Sequence, residues 1–173
     1  VKVSKSMLDA FGLNPQPKQG WTVGASTVAT QGKVASVPGG ATQQTNAQGD
    51  AAWRLNFGTV ASRATVTVAE TQQAGYQFVS GNCVISSLNG TVREVSLTSE
   101  AGTSLTGIAP GDSVVCGYVN KPIPSTLTLT KNVAARDGVN DQFTLSAWKG
   151  NTTSPTTQVG SSVTTTGTAS APC

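Results

Sequence analysis

Residues 64–71 read ATVTVAET, and the alternation in this stretch decides the fold. Side chains along a strand alternate with period two, so Val66, Val68 and Glu70 share one face. The chain opens in the same way: in VKVSKSM (residues 1–7), Val1, Val3 and Lys5 share a face. The pattern returns in SVVCGYVN (residues 113–120), where Val114, Cys116, Tyr118 and Asn120 share a face. Each apolar face thus ends in a polar group. A lysine, a carboxyl group and a carboxamide aimed at one dry interior can react. The amine attacks the amide carbon, ammonia leaves, and an isopeptide bond ties the first strand to the last.

That chemistry constrains its parts. A lysine with an ordinary pKa of about 10.4 is protonated and cannot attack. Burial favours the neutral amine, and it favours the protonated form of a neighbouring carboxylic acid. Protonated Glu70 would then polarise the Asn120 carbonyl and relay protons to the leaving ammonia. The fold supplies the proximity, no cofactor or metal is needed, and each chain reacts once. The plainer reading is a Lys5–Glu70 ion pair with Asn120 as a hydrogen-bond partner, because lysine and glutamate at strand ends are common and snorkel. Lys2 is the alternative amine, disfavoured because it shares a face with Ser4 and Ser6.

Only 11% of the 173 residues are charged, where about a quarter is typical of globular domains. With Thr and Val abundant, this composition reads as all-β and extracellular. The net charge of +3 is spread thinly over Lys2, Lys5, Lys18, Lys33, Arg54, Arg63, Arg93 and Lys121, which argues against a nucleic-acid partner. The absence of histidine removes the commonest general base and transition-metal ligand. Cys83, Cys116 and Cys173 have no C-x-x-C spacing, which disfavours zinc or thioredoxin-like roles. Three pairings are formally open. Cys83 with Cys116 is the expected one, since both fall in strand-like segments of one unit and export would permit a disulfide. Cys173 would then pair in a missing segment or another chain. No membrane span or signal peptide is expected here. The opening Val1 reads as a processed chain or a fragment.

Strands are expected at 1–7, 21–28, 52–57, 64–71, 76–79, 82–86, 91–98 and 113–120, punctuated by Gly, Pro, Asn and Asp. Asn89-Gly90 marks a hairpin between 82–87 and 91–98. Segment 30–50 reads as a long loop with a weak strand, and 6–14 as one short helical turn at most. The expected core is Trp21, Trp53, Leu55, Phe57, Tyr76, Phe78, Val84 and Tyr118. One domain spans 1–121, a Pro-rich linker 122–125, and a partial second module 126–173. In that module Leu127, Leu129 and Lys131 repeat Val1, Val3 and Lys5 at an offset of 126, and QFTLSAW (142–148) echoes GWTVGAS (20–26). The second copy contains no Glu, so Lys131 lacks counterparts of Glu70 and Asn120 within it. Half a sandwich leaves open strand edges, to be completed by more of a longer chain or by strand addition from another subunit.

VTVAET followed by QQAGY resembles the E-T-x-x-x-G-Y signature of collagen-adhesin B-type domains, the prealbumin-like (SpaA-type) modules of bacterial surface proteins. VKVSK resembles that family's first strand with its bond-forming lysine, and VVCGYVNKP its last strand ending in Asn. The likeness covers about residues 1–122 in the family's order, and LTLTKNV with DQFTLSAW looks like the start of another module. It implies a β-sandwich of roughly seven strands with Greek-key-like connections. Lys5 would be the amine, Asn120 the acyl donor and Glu70 the catalytic acid. Ala74 departs from the family's usual Pro, the Cys83/Cys116 pair is not general in it, and 30–50 is long.

The expected role is a structural module of a cell-surface stalk, adhesin or fibre, exposed to shear and proteases. Its partners would be neighbouring modules or subunits of the same assembly, with a host protein or glycan as further candidates. Two other roles stay open. One is a ligand-binding module with an exposed aromatic platform, for which Trp53 and Trp148 are the candidates. The other is an accessory domain of a secreted enzyme. Turnover catalysis is not expected, because no candidate nucleophile has an adjacent base. Asp137, Asn140 and Asp141 lack the spacing of a calcium loop and read as a solvated turn. Asn89-Gly90-Thr91 and Asn151-Thr152-Thr153 match the glycosylation pattern by composition alone. The Thr-rich tail 152–170 reads as O-glycosylated or as an edge strand and loop.

Overall fold

The computed structural model of the chain describes residues 1–132, 142–151 and 154–164. Asp137, Asn140, Asp141 and Cys173 lie outside the described residues, as does most of the second glycosylation pattern. The chain divides into two units, Val1–Pro124 and Ser125–Cys173.

The first unit runs in chain order through β1 (Lys2–Met7), β2 (Gln16–Pro17), β3 (Thr22–Gln31), β4 (Val34–Val37), β5 (Thr42–Gln44), β6 (Asp50–Ala52), β7 (Arg54–Phe57), β8 (Arg63–Glu70), β9 (Tyr76–Ser86), β10 (Val92–Leu97), β11 (Thr103–Ile108) and β12 (Ser113–Pro122). One sheet has the order β10-β9-β12-β1-β2, with β6 also paired to β1. The second has the order β11-β8-β3-β5, and β4 pairs with β7. The inner faces of the two main sheets meet over Val3, Val23, Val66, Val68, Cys83, Ile85, Leu105, Val114 and Tyr118, all buried. This is an all-β sandwich, with no helix among the described residues. The 6–14 segment closes instead as a loop, with the Asp9 carboxylate accepting from the Phe11 and Leu13 amides.

The first and last strands are neighbours. β1 pairs parallel with β12, placing Val3 beside Cys116, Lys5 beside Tyr118 and Met7 beside Asn120. β9 flanks β12 on its other side, antiparallel, with Cys83 opposite Cys116, and the two form a disulfide. By the chain-entropy argument, this tie across 33 residues contributes roughly 3–4 kcal/mol. A disulfide persists in oxidising compartments. Among the described residues no helix is long and apolar enough to cross a membrane.

Several expectations change for identifiable reasons. The stretches 76–79 and 82–86 form the single strand β9, which carries a bulge where Val119 pairs with Ser80 but Asn120 pairs with Phe78. The extra residue, Val79, flips the parity of the face. Tyr76 and Phe78 pack inward before the bulge, and Cys83 and Ile85 do so after it, so Val84 is not in the core. Strand β11 escapes the sequence pattern for a similar reason, since a register shift between Leu105 and Ile108 breaks its alternation. The 52–57 segment splits because its ends serve different partners, β6 pairing with β1 and β7 with β4. The 30–50 loop holds two short strands, β4 and β5. The linker begins later than expected, because β12 continues through Lys121 and Pro122 to pair with Gln77 and Tyr76. The Asn89-Gly90 hairpin is present, with only Gly90 at positive φ (83°) and the Ser87 amide bonded to the Thr91 carbonyl. That is a three-residue loop rather than a two-residue turn.

In the second unit β13 (Thr144–Asn151) pairs antiparallel with β14 (Ser154–Thr164). The Thr-rich tail thus contributes a strand.

Backbone around Lys5 is pinned from outside the sheet. Its amide donates to the Gly49 carbonyl at 2.7 Å, and its carbonyl accepts from the Lys18 amide at 2.9 Å. Gly49 sits at φ +78°, where a Cβ would stand 2.5 Å from the Lys5 carbonyl oxygen. Gly49→Ala is therefore expected to lose about 1–3 kcal/mol of stability. A urea midpoint unchanged from wild type would contradict this account of the turn.

Candidate functional site

Three strands each turn one polar side chain, Lys5, Glu70 and Asn120, into the buried interior. The inward faces are Val3 and Lys5 on β1, Ala64, Val66, Val68 and Glu70 on β8, and Val114, Cys116, Tyr118 and Asn120 on β12, every one buried. Period-two alternation carries each strand from apolar residues to the polar one without a change of face. Lys5 Nζ lies 2.6 Å from Glu70 Oε2, with both side chains wholly shielded from solvent. This contact bridges the two sheets, since Lys5 belongs to one and Glu70 to the other. Asn120 is fully buried, and its residue sits next to the Val119/Asn120 register shift. Lys2, the alternative amine, points outward to a surface ion pair with Asp50 at 2.7 Å.

The surroundings are aromatic and dry. The Trp21 ring, itself buried, closes over the amine, with Nζ 4.6 Å from its centroid. Trp21 stacks edge-on against Tyr76, and Phe78 edge-on against Tyr118. Burial pushes the Lys5 pKa down from its ordinary value, and the hydrogen bond and charge of Glu70 oppose that shift without cancelling it. Burial first, and then the Glu70 charge, push the Tyr118 phenol up.

Five buried side-chain polar atoms lack a hydrogen-bond partner among the described residues: Trp21 Nε1, Thr27 Oγ1, Glu70 Oε1, Tyr118 OH and Asn120 Oδ1. Folded proteins leave few such atoms, and each calls for an explanation. Here Glu70 and Asn120 each present a bare acceptor in the same interior. One proton on the carboxyl group would let it donate to the carboxamide oxygen and satisfy both. Asn120 Nδ2 is engaged, donating to Gln72 Oε1 at 3.1 Å. Sequence reasoning did not single out Gln72 or the ring of Trp21 over the amine. Gln72 sits in the turn two residues after Glu70, where alternation no longer assigns a direction.

The other candidates fall elsewhere. Of the two platform candidates, Trp53 is buried, with its indole N–H on the Gly40 carbonyl, whereas Trp148 is exposed. Lys131 is exposed, with Nζ 5.1 Å from the Phe143 ring centroid. Phe143 stands where Trp21 stands in the repeat, one residue before a strand that opens on Thr. The lysine-over-aromatic contact is thus reproduced in the second unit. Among the described residues, no cluster of His, Cys, Asp or Glu is grouped for metal ligation. The chain matches no family model, no curated protein and no solved structure.

A lysine whose folded pKa lies below its unfolded 10.5 makes stability rise with pH. Below both values the fold carries a buried proton. As pH climbs through the folded value toward 10.5, the folded chain sheds it first and that penalty disappears. The Val1 amine shifts the same way from 8.0 and Tyr118 the opposite way from 10.0, so the diagnostic window lies between those values. In an Asn120→Ala chain, which has no carboxamide there for the amine to react with, the denaturation midpoint should rise across this window. Adding Lys5→Met should flatten the rise, and a slope that persists in the double variant would assign it to another group.

Proposed function

We propose that the Val1–Pro124 unit is a prealbumin-like, B-type structural module of a bacterial cell-surface stalk, adhesin or fibre, and that it cross-links itself through Lys5 and Asn120 with Glu70 as catalytic acid. The observation that carries this reading is the contact of a buried amine with a buried carboxyl group, in a sandwich that also buries the Asn120 carboxamide with its oxygen unpartnered among the described residues. An ion pair held only for stability is a weak explanation, because desolvating two charges commonly outweighs their attraction.

The reaction uses only groups of the chain. A proton passes from Lys5 Nζ to the Glu70 carboxylate across their 2.6 Å contact, leaving a neutral amine and a neutral acid. The amine attacks Asn120 Cγ while the acid hydrogen-bonds Oδ1 and stabilises the oxyanion. The second amine proton returns through Glu70 to the departing NH₂. The Cγ–Nδ2 bond breaks, the Nζ–Cγ bond remains, and one ammonia leaves. Burying both reactants in fixed strands replaces the high concentration that an amide would otherwise need. Glu70 is regenerated, but the chain is spent after one event.

Topology gives the bond its mechanical meaning. The parallel pairing of β1 with β12 sets the entry and exit strands side by side. Tension applied through the chain ends pulls them lengthwise against one another. A Lys5–Asn120 bond carries that load directly and leaves the residues between them unstretched. Closing nearly the whole sandwich as one loop would also add about 4–5 kcal/mol. The disulfide suits an extracellular location, and the repeated lysine-over-aromatic contact of Lys131 suits a chain of like modules or subunits.

Intact-mass spectrometry of the fully reduced protein tests the proposal. Wild type is expected one ammonia lighter than its sequence, while Lys5→Ala and Glu70→Ala keep the full mass. A peptide map should join the N-terminal segment to residues 119–121. A wild-type mass equal to that of the sequence would overturn the proposal.

A further inference from the structure

The orientation of the Asn120 carboxamide is set by hydrogen bonds that can be traced outward, and they end at Gln72. The Gln72 side chain donates from Nε2 to the Tyr76 carbonyl at 2.5 Å, with the Gln73 carbonyl at 3.4 Å. Backbone carbonyls only accept, so these contacts require the NH₂ end of Gln72 to face them. No residue of β10 pairs with Tyr76, since β10 covers β9 only from Gly81 to Ser86, and Gln72 fills that gap. Gln72 Oε1 is thereby turned to Asn120, where it accepts from Nδ2 at 3.1 Å. With its nitrogen held by an acceptor, Asn120 must turn Oδ1 the other way, and that oxygen is the buried atom without a partner.

Resting on the proposed cross-linking reaction, we infer that Gln72 is the positioning residue for the leaving group. It selects the amide rotamer in which the nitrogen is held by Gln72 and the oxygen is left in the interior, where the proposed reaction needs it for the Glu70 acid. The opposite rotamer would point the NH₂ group inward and leave the acid no oxygen to polarise. Gln72 is itself half-buried, whereas Asn120 is fully buried, so the route from Nδ2 to solvent passes Gln72. As the Cγ–Nδ2 bond breaks, the departing nitrogen gains a proton from Glu70 and leaves as ammonia past the Gln72 oxygen, which accepts its N–H throughout. Gln72 exchanges no proton and forms no bond.

The test is a time course. The full chain is denatured without reduction immediately after synthesis in a cell-free system, refolded by dilution, and sampled by intact mass. Gln72→Met keeps the length of the side chain and removes both hydrogen-bonding ends. It should lose ammonia at least ten-fold more slowly than wild type. Gln72→Glu, which keeps an acceptor toward Asn120, should recover part of that rate at high pH more than Gln72→Met does. Thermal unfolding of both variants in a Lys5→Met background reads any structural effect separately. Gln72→Met reacting at the wild-type rate would overturn the inference, as would a slowing fully accounted for by lost stability in the Lys5→Met background. If wild type itself loses no ammonia, the cross-linking proposal fails, and the role of Gln72 fails with it. Normal wild-type loss with an unaffected Gln72→Met rate refutes Gln72 alone.

Discussion

A lysine and a glutamate buried side by side between two sheets form the constraint around which the unit is arranged. Their 2.6 Å contact joins β1 of one sheet to β8 of the other, deep in an aromatic and aliphatic interior. Such a pair is a poor device for stability alone, since each ion loses its hydration and the mutual attraction repays this only with excellent geometry and further hydrogen bonds. Among the described residues Glu70 Oε1 has no hydrogen-bond partner.

The rest of the sandwich can be understood as what holds those groups in place. Hydrogen bonds from the Gly49 and Lys18 backbone fix β1 at Lys5. The Glu70 amide donates to the Glu100 carbonyl, and the next amide, of Thr71, donates to Thr22, which ties the end of β8 on both sides. The bulge in β9 lets that strand follow β12 to its end while Asn120 keeps its inward direction. The Cys83–Cys116 disulfide locks β9 to β12 on the same inner face, four residues before Asn120. Rigid support of this kind is what the proposed reaction between a poor electrophile and a poor nucleophile would require.

Much of this was legible in the residues. The period-two faces of 1–7, 64–71 and 113–120 placed Lys5, Glu70 and Asn120 inside, because alternation on an uninterrupted strand is a local property. The expected cysteine pair and most strand positions followed from the same pattern. The misreadings cluster where alternation is broken or shared. Val84 shares the sequence parity of Tyr76 and Phe78, but a bulge that the sequence does not mark lies between them and turns Val84 off the core face. β11 was missed because its inward residues, Leu105 and Ile108, are three apart. The 52–57 run keeps one inward parity through Trp53, Leu55 and Phe57 while its partner strand changes, which the sequence does not mark.

By itself, the sequence determined which residues turn inward along each regular strand, and hence that an amine, an acid and a carboxamide share one interior. Only the tertiary structure decided that the first and last strands are parallel neighbours, that Lys5 rather than Lys2 meets Glu70, and that the Asn120 carboxamide donates to Gln72. Facing direction depends on steric alternation within a few residues. Neighbourhood depends on pairings between strands more than a hundred residues apart in the case of β1 and β12, and these are settled by the packing of the whole sandwich.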